Sequence, residues 1–262
     1  MRAPEHPETW ADALEAACAR SPALGIMGVR VLSETASTQD AAWGAGAGRA
    51  GWVVVGVRQT GGRGRLGRRW EDVGGLGLAM SVTLARARCD GAIAVRTGLA
   101  VLDACAALTP GGEGMFGVRW PNDVVARADG RKVAGVLVEA RDATAIVGVG
   151  VNVRQRAEEW TGELVGRAAS LRELGSEASR IDTACAIVER LGGWLDARAA
   201  EVAARASALD TLRGSRRAFT SGGRRVEGEV LGVGERGTIS VRCDDGSVSE
   251  LAPETTSLEH GS

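Results

Sequence analysis

Of 32 basic residues in the 262-residue chain only Lys132 is a lysine, the other 31 being arginine. A lysine that persists against such a bias marks a position where a planar guanidinium cannot replace a compact ammonium, chance survival being the alternative. Upstream, Gly62-Arg63-Gly64-Arg65-Leu66-Gly67 has the G-x-G-x-x-G spacing of a dinucleotide fingerprint. That fingerprint needs a helix N-terminus to receive a pyrophosphate, yet the chain passes Arg68, Arg69, Trp70 and Gly74-Gly75 and then enters a strand. Hydride-transfer chemistry therefore lacks its scaffold. Lys132 is followed by Val133 without the glycine spacing of a P-loop. What remains is a loop bearing Arg63, Arg65, Arg68 and Arg69, either an ordinary solvated loop or one whose guanidinium forks close over a phosphate-bearing intermediate. Pro121-Asn122-Asp123 reads both as a turn and as a source of hard oxygen ligands. The only histidines, His6 and His260, sit near the two ends, so a histidine triad or a His-ligated metal is not expected.

Holding these groups together requires the following elements. Residues 8–20 predict a helix, and residues 29–34, beyond Pro22 and Gly25, a strand. Ser37 and Thr38 are placed to cap a helix over 39–47. Residues 52–59 form a β-branched strand that runs into the glycine-arginine loop at 61–69, with a further strand over 76–84. Val95, Leu99, Leu102 and Ala106 recur at helical spacing and predict a helix over 92–108, closed by Pro110 and two glycines. Strands over 118–120, 124–126, 132–140 and 145–153 follow, with Ala128-Asp129-Gly130 as a hairpin turn. Successive strands without intervening helices imply antiparallel pairing. A helical stretch over about 181–208 precedes short alternating strands with turns at Ser221-Gly222-Gly223, Gly234–Gly237 and Asp244-Asp245-Gly246. We place a boundary there, giving domains 1–209 and 210–262. The fold class is α+β, a mixed, largely antiparallel sheet with flanking helices plus a small β-barrel.

Composition narrows the classes further. With 44% hydrophobic residues and a net charge of -1, a globular core is within reach and no basic field favours nucleic acid. The longest apolar runs, Trp52–Val57 and Val133–Val138, are far shorter than the roughly 20 residues that span a bilayer. No secretory or transit signal is apparent, and the expected location is the cytoplasm. Five scattered cysteines, at 18, 89, 105, 185 and 243, suit reduced thiols better than a disulfide framework or a zinc site.

Taken in order, Ser37-Thr38-Gln39, Gln59 to Trp70, Arg119-Trp120-Pro121-Asn122-Asp123, Arg131 to Glu139 and Gly148 to Val153 strongly resemble the biotin–protein ligase family. Its core carries S-T-N, G-R-G-R-x-G-R-x-W, K-W-P-N-D, K-x-x-G-I-L-x-E and G-I-G-I-N in that order. The resemblance covers residues 29–153 by motif, and by architecture reaches the C-terminus, where the family ends in a small SH3-like barrel. It implies a catalytic domain of the class II aminoacyl-tRNA synthetase-like, biotin–lipoate ligase type. It further implies activation of biotin by ATP with Mg²⁺ to biotinyl-5′-AMP, then transfer to a lysine of a biotin carboxyl carrier protein. By resemblance, Ser37, Thr38 and Gln39 hold the ureido ring, with Gln59 close by, and Arg63, Gly64 and Arg65 order over the adenylate. Lys132 reaches the biotin carboxylate and the α-phosphate, with Lys132 to Val136, Gly135 included, lining the biotin pocket. Arg68, Trp70, Arg119, Asn122, Asp123 and Asn152 fall around ATP, and no metal ligand is certain. Lys132 and Arg65 are the candidate catalytic residues; no residue is identified as the base for the acceptor amine, Asp123 being a candidate by resemblance alone.

Two departures stand out: Arg119 replaces the usual lysine before W-P-N-D, and Gln39 the commonest asparagine. Both keep the donor chemistry and bear on rate, not on reaction type. About 35 residues with one helix precede the first motif, too few for a helix-turn-helix, so a monofunctional ligase without operator binding is expected. A homodimer through sheet edges is compatible with the family. The competing readings are a lipoate–protein ligase and a non-catalytic biotin-binding sensor. The Gly62–Trp70 and Arg119–Asp123 motifs speak against the first, Lys132 and Asn152 against the second.

Overall fold

The structure, a computed structural model, describes residues 7–259. His6 and His260 lie outside the described residues. The chain runs through α1 (Pro7–Ala19), β1 (Gly28–Leu32), α2 (Thr38–Ala45), β2 (Trp52–Gly56), β3 (Gly62–Arg63), β4 (Arg69–Trp70), β5 (Leu78–Ala85) and α3 (Ile93–Leu108). There follow β6 (Phe116–Arg119), β7 (Asp123–Ala126), β8 (Lys132–Arg141), β9 (Thr144–Val151), α4 (Arg180–Asp196) and α5 (Ala199–Leu209). The last five strands are β10 (Arg216–Ser221), β11 (Arg224–Val233), β12 (Ile239–Arg242), β13 (Val248–Leu251) and β14 (Thr256–Leu258).

Seven strands form one mixed sheet in the order β1-β2-β5-β9-β8-β7-β6. Only β1 and β2 pair in parallel, because α2 crosses over between them; the other pairs are antiparallel. Val53 and Val55 of β2 point into the main core, and Val54 points the other way, into a small cluster with Ala42 and Ile146 beneath α2. This strand is covered on both faces, which is why it reads as a continuous apolar run rather than an alternating one. On the main-core face α3 is buried from Val95 to Leu102 and packs against α4.

Along β9 the α2-side positions are Ile146, Gly148 and Gly150, and their partners on β8 are Glu139, Leu137 and Gly135. Side chains on one face of a strand recur every second residue, so glycine at alternate positions leaves that part of the sheet bare. The bare patch becomes the floor of a cavity.

Strand and helix positions follow the sequence expectations in the main, but the expected loop at 61–69 carries the short paired strands β3 and β4, and two further differences stand out. Ser37 occupies the N-cap of α2 but makes no capping side-chain bond. The expected helix over 181–208 is broken at Ala197 and Arg198, both extended, giving α4 and α5. No glycine or proline marks that break. Buried Arg96 of α3 donates through Nη1 to the carbonyls of Trp194 and Ala197 at 2.8 and 2.7 Å, satisfying groups a helix end leaves open.

The C-terminal strands form a separate antiparallel sheet in the order β13-β12-β11-β10-β14. It is seated on the turn between β6 and β7. Trp120 Nε1 donates to the carbonyl of Gly237 at 2.8 Å, and its ring meets Phe219 edge-on at 6.1 Å between centroids. Thr211 N–H donates to the carbonyl of Val118 at 2.9 Å.

Candidate active site

The bare glycine patch lies under a cavity of about 1030 Å³, open at its mouth, whose walls come from α2, the glycine-arginine loop, the β6–β7 turn, β8, β9 and β14. At one end Gln59 Oε1 accepts from the Thr38 N–H at 2.9 Å and from Thr38 Oγ1 at 3.2 Å, and Thr38 Oγ1 is 2.9 Å from Ser81 Oγ. Gln39 Nε2 donates to the Leu137 carbonyl at 3.2 Å across the mouth of the Gly148 site, where any Cβ would come within 3.0 Å of the Gln39 side chain. These buried amides and hydroxyls form a polar end suited to a small ligand with both donors and acceptors.

The loop is a short ribbon in which Gly62 pairs with Trp70 and Arg63 with Arg69. A side chain at Gly62 would strike the Trp70 carbonyl, its Cβ falling 2.4 Å from the oxygen. At the tip Leu66 takes a positive φ of 54° and stays exposed. Arg63 is held by Asp40 Oδ2 at 2.6 Å and Glu139 Oε1 at 3.1 Å, and Arg141 reaches the same two carboxylates at 2.9 Å each. Two cations and two anions thus form a closed ring linking the loop to α2 and β8. Hydrogen bonding to Arg63, helped by Arg141, holds the Asp40 carboxyl below the usual carboxylate range against its partial burial. Arg65 turns the other way. It donates to Asn122 Oδ1 at 3.3 Å, to the Thr256 carbonyl at 2.9 Å and to the Pro253 carbonyl. Burial lowers its pKa against the pull of Asp123 and Glu254, and as a guanidinium it stays charged.

Trp70 lies flat on the floor. A Cβ at Gly150 would fall 2.4 Å from Trp70 Cε2, so only glycine lets the indole settle there. Lys132 Nζ sits 5.6 Å from the ring centroid and 2.6 Å from Asp123 Oδ1, whose Oδ2 accepts from Arg119 at 2.9 Å. Burial pushes the Asp123 carboxyl up, but the charges of Lys132 and Arg119 outweigh it and hold the group below its usual range. Asn122 fixes its turn by donating from Nδ2 to the Val136 carbonyl at 2.8 Å.

Ser37, Thr38, Gln39, Gln59, Arg63, Gly64, Arg65, Arg68, Trp70, Arg119, Asn122, Asp123, Lys132 and Gly135, all singled out from sequence, line this one cavity. Asn152 does not. Its amide donates to the carbonyls of Lys132 and Ala169, both at 3.1 Å, so it props the backbone beneath Lys132. Sequence reasoning missed Ser257 and Leu258, which reach the cavity from the far end of the chain, and the carboxylates that hold Arg63. Only the spacing of Glu139 within the Lys132 motif hinted at the latter.

The residues present do not make a cage for a resident divalent ion. Among the described residues no three His, Cys, Asp or Glu side chains converge, and both Asp123 oxygens are taken by cations.

Residues 28–154 match the family model described as Biotin/lipoate A/B protein ligase family. The chain is 37% identical over 155 residues to the biotin–[acetyl-CoA-carboxylase] ligase of Mycobacterium tuberculosis, covering 56% of each chain. It is 35% identical over 143 residues to the bifunctional ligase/repressor BirA of Bacillus subtilis, covering 51% of this chain and 42% of that one. The chain thus spans about half the length of the curated relatives it matches. Among solved structures, the biotin protein ligase from Aquifex aeolicus in complex with biotin and ATP superimposes with a TM-score of 0.77 at 28% identity, over 90% of this chain and 100% of that one.

Proposed function

Because the chain belongs to the biotin protein ligase family, we propose that it activates biotin with ATP to biotinyl-5′-AMP and transfers the biotinyl group to a specific lysine of a biotin carboxyl carrier protein. The observation that carries this reading is the convergence of the single lysine, the arginine loop and the Trp120–Asp123 turn on one cavity whose far end is an amide–hydroxyl cluster. Residues 1–209 form the catalytic domain in this reading and residues 210–262 the SH3-like one, a division supported by the separate C-terminal sheet. The expected setting is the cytoplasm; among the described residues no helix is long and apolar enough to cross a membrane.

In the first half-reaction a carboxylate oxygen of biotin attacks the α-phosphorus of ATP. The bond to the β-phosphate oxygen breaks and pyrophosphate leaves. Two anions must meet, so the ammonium of Lys132 and the guanidinium of Arg65 are placed to offset the charge that builds on the phosphoryl oxygens. Lys132 must exchange Asp123 for the incoming phosphate, and Arg119 keeps Asp123 neutralised while it does. Mg²⁺ would enter on the phosphates of ATP as part of the substrate.

In the second half-reaction the acceptor amine attacks the acyl carbon, AMP departs with the bonding pair, and the amine proton is lost. Asp123 is poorly suited to take that proton while two cations depress its basicity, so solvent is the better recipient in this arrangement. The arginine loop, held by Arg63 at one end and Arg65 at the other, limits water at the mixed anhydride.

The test is mass spectrometry of a biotin carrier domain incubated with the protein, biotin, Mg²⁺ and ATP, with lipoate replacing biotin as the control. The expected result is an ATP-dependent gain of one biotinyl group. Lipoyl attachment, or biotin binding without transfer, would overturn the assignment.

A further inference from the structure

We infer that Asp72 is a positioning residue for the ring-binding end of the cavity, acting through Gln59; the inference rests on the cavity's being a biotin site. Asp72 does not itself line the cavity. It follows Trp70 by two residues, where the chain leaves the arginine loop, and its Oδ2 accepts the Gln59 N–H at 3.0 Å, where the chain enters it. One carboxylate oxygen therefore clasps the base of the loop and fixes the residue whose side chain builds the polar end.

The consequence runs outward along donors and acceptors. Gln59 Oε1 takes both the N–H and the hydroxyl hydrogen of Thr38. Thr38 has one hydroxyl hydrogen, so the 2.9 Å contact with Ser81 is donated by Ser81. Thr38 is left presenting a lone pair, and the Gln59 amide nitrogen, its oxygen committed, is turned toward Gly62, where it lies 2.7 Å from the position of an added Cβ. A cyclic urea has N–H donors beside a carbonyl acceptor, the complement of that pair. Swinging Gln59 away would release both at once.

The surroundings of Asp72 fit a hydrogen-bonding role more than a charge role. Asp72 Oδ1 is buried and faces Gly77, where the Gln155 amide nitrogen also lies, so a hydrogen-bond donor rather than a counter-charge is its nearest side-chain neighbour there. Burial holds the Asp72 carboxyl above its usual range, against the N–H groups of Gln59 and Gly77 and the charges of Arg180 and Arg58. Arg180 is tied to this corner, donating to the carbonyls of Val57 and Gly75 at 2.7 and 2.5 Å.

Steady-state adenylation by the full chain, with biotin and ATP varied separately, tests the inference. Asp72→Asn keeps the shape and an acceptor oxygen for the Gln59 N–H, so its KM for biotin should stay within about twofold of wild type. Asp72→Ala should raise the biotin KM about tenfold with kcat and the ATP KM within about twofold, and should add nothing in a Gln59→Ala background. Asp72→Ser, with a hydroxyl too short to reach Gln59, replaces Asp72→Ala if that variant does not fold. An unchanged biotin KM, a parallel rise in both KM values, or an Asp72→Asn variant as impaired as Asp72→Ala would overturn the inference. Failure of the wild type to activate biotin strikes instead at the ligase reading, and biotin affinity by calorimetry then decides the role of Asp72 alone.

Discussion

Lys132 Nζ lies 2.6 Å from Asp123 Oδ1, and both residues project into the cavity from neighbouring strands, β8 and β7. The pair is shared: Arg119 holds the other carboxylate oxygen, so the lysine can leave without stranding a bare buried charge. An ammonium held by one exchangeable partner is ready for a phosphate.

Replacing Lys132 with Ala should cost on the order of 10²–10³-fold in pyrophosphate exchange, the loss typical of removing one donor from a developing oxyanion. Lys132→Arg should recover little of it. The Lys132 ammonium is seated between Asp123 Oδ1 at 2.6 Å and the Trp70 ring at 5.6 Å, a seat made for a compact cation that a wider planar fork would not reproduce. Exchange near the wild-type rate in Lys132→Ala would remove the lysine from the chemistry.

Gly150→Ala places a methyl 2.4 Å from Trp70 Cε2 and must lift the indole from the cavity floor. Alanine is tolerated in strands, so the expected effect is functional: a rise of at least about tenfold in the KM for substrate with a small change in melting temperature. Tryptophan fluorescence should report the displaced ring, and unchanged kinetics would show that the floor contact is dispensable.

The ring of Arg63, Asp40, Arg141 and Glu139 is half-exposed, so salt should weaken it. Glu139→Gln should raise the biotin KM several-fold at low ionic strength, and the gap from wild type should narrow in high salt as both lose the tether. A gap that is independent of salt would assign the effect to packing.

Asp210 supplies a pH dependence of stability. Burial raises its pKa to about 6, the N–H groups of Leu212 and Trp120 and the charge of Arg213 pulling the other way. Its folded-state pKa exceeds the unfolded one, so the folded chain binds the proton more tightly and this site loses stability as pH rises from about 4 through 6. The cost of the ionised group above that window is on the order of 2–3 kcal/mol. Asp210→Asn should therefore melt several degrees higher than wild type at pH 8, and the gain should vanish by about pH 4. Parallel melting curves across this range would count against a buried charge there.

Much of the site was legible in the sequence because its residues come in short ordered runs whose types restrict the chemistry. The alternation of Gly148 and Gly150 in a strand, and the glycine at 135 opposite, have a simple physical meaning once the register is known: one face of the sheet is left bare. What sequence could not show was non-local. Nothing near Ala197 signals the break between α4 and α5, since the group that satisfies the helix end is Arg96, about a hundred residues away. Ser257 and Leu258 look like any edge-strand residues until β14 is seen against the cavity. Asn152 sits in a motif but points inward, where only the backbone pairing around Lys132 gives it a use.

An activated acyl phosphate reacts with any free primary amine, including those of the protein that makes it. The sequence contains one lysine, Lys132, and its amine is ion-paired with the Asp123 carboxylate, whose other oxygen accepts from Arg119. Arginine side chains stay protonated, so their guanidinium nitrogens offer no free lone pair to attack an acyl carbon. An adenylate formed in the proposed reaction thus meets few lysine amines on the protein that holds it, and the lysine self-labelling that a lysine-rich catalyst of the same shape would suffer is suppressed.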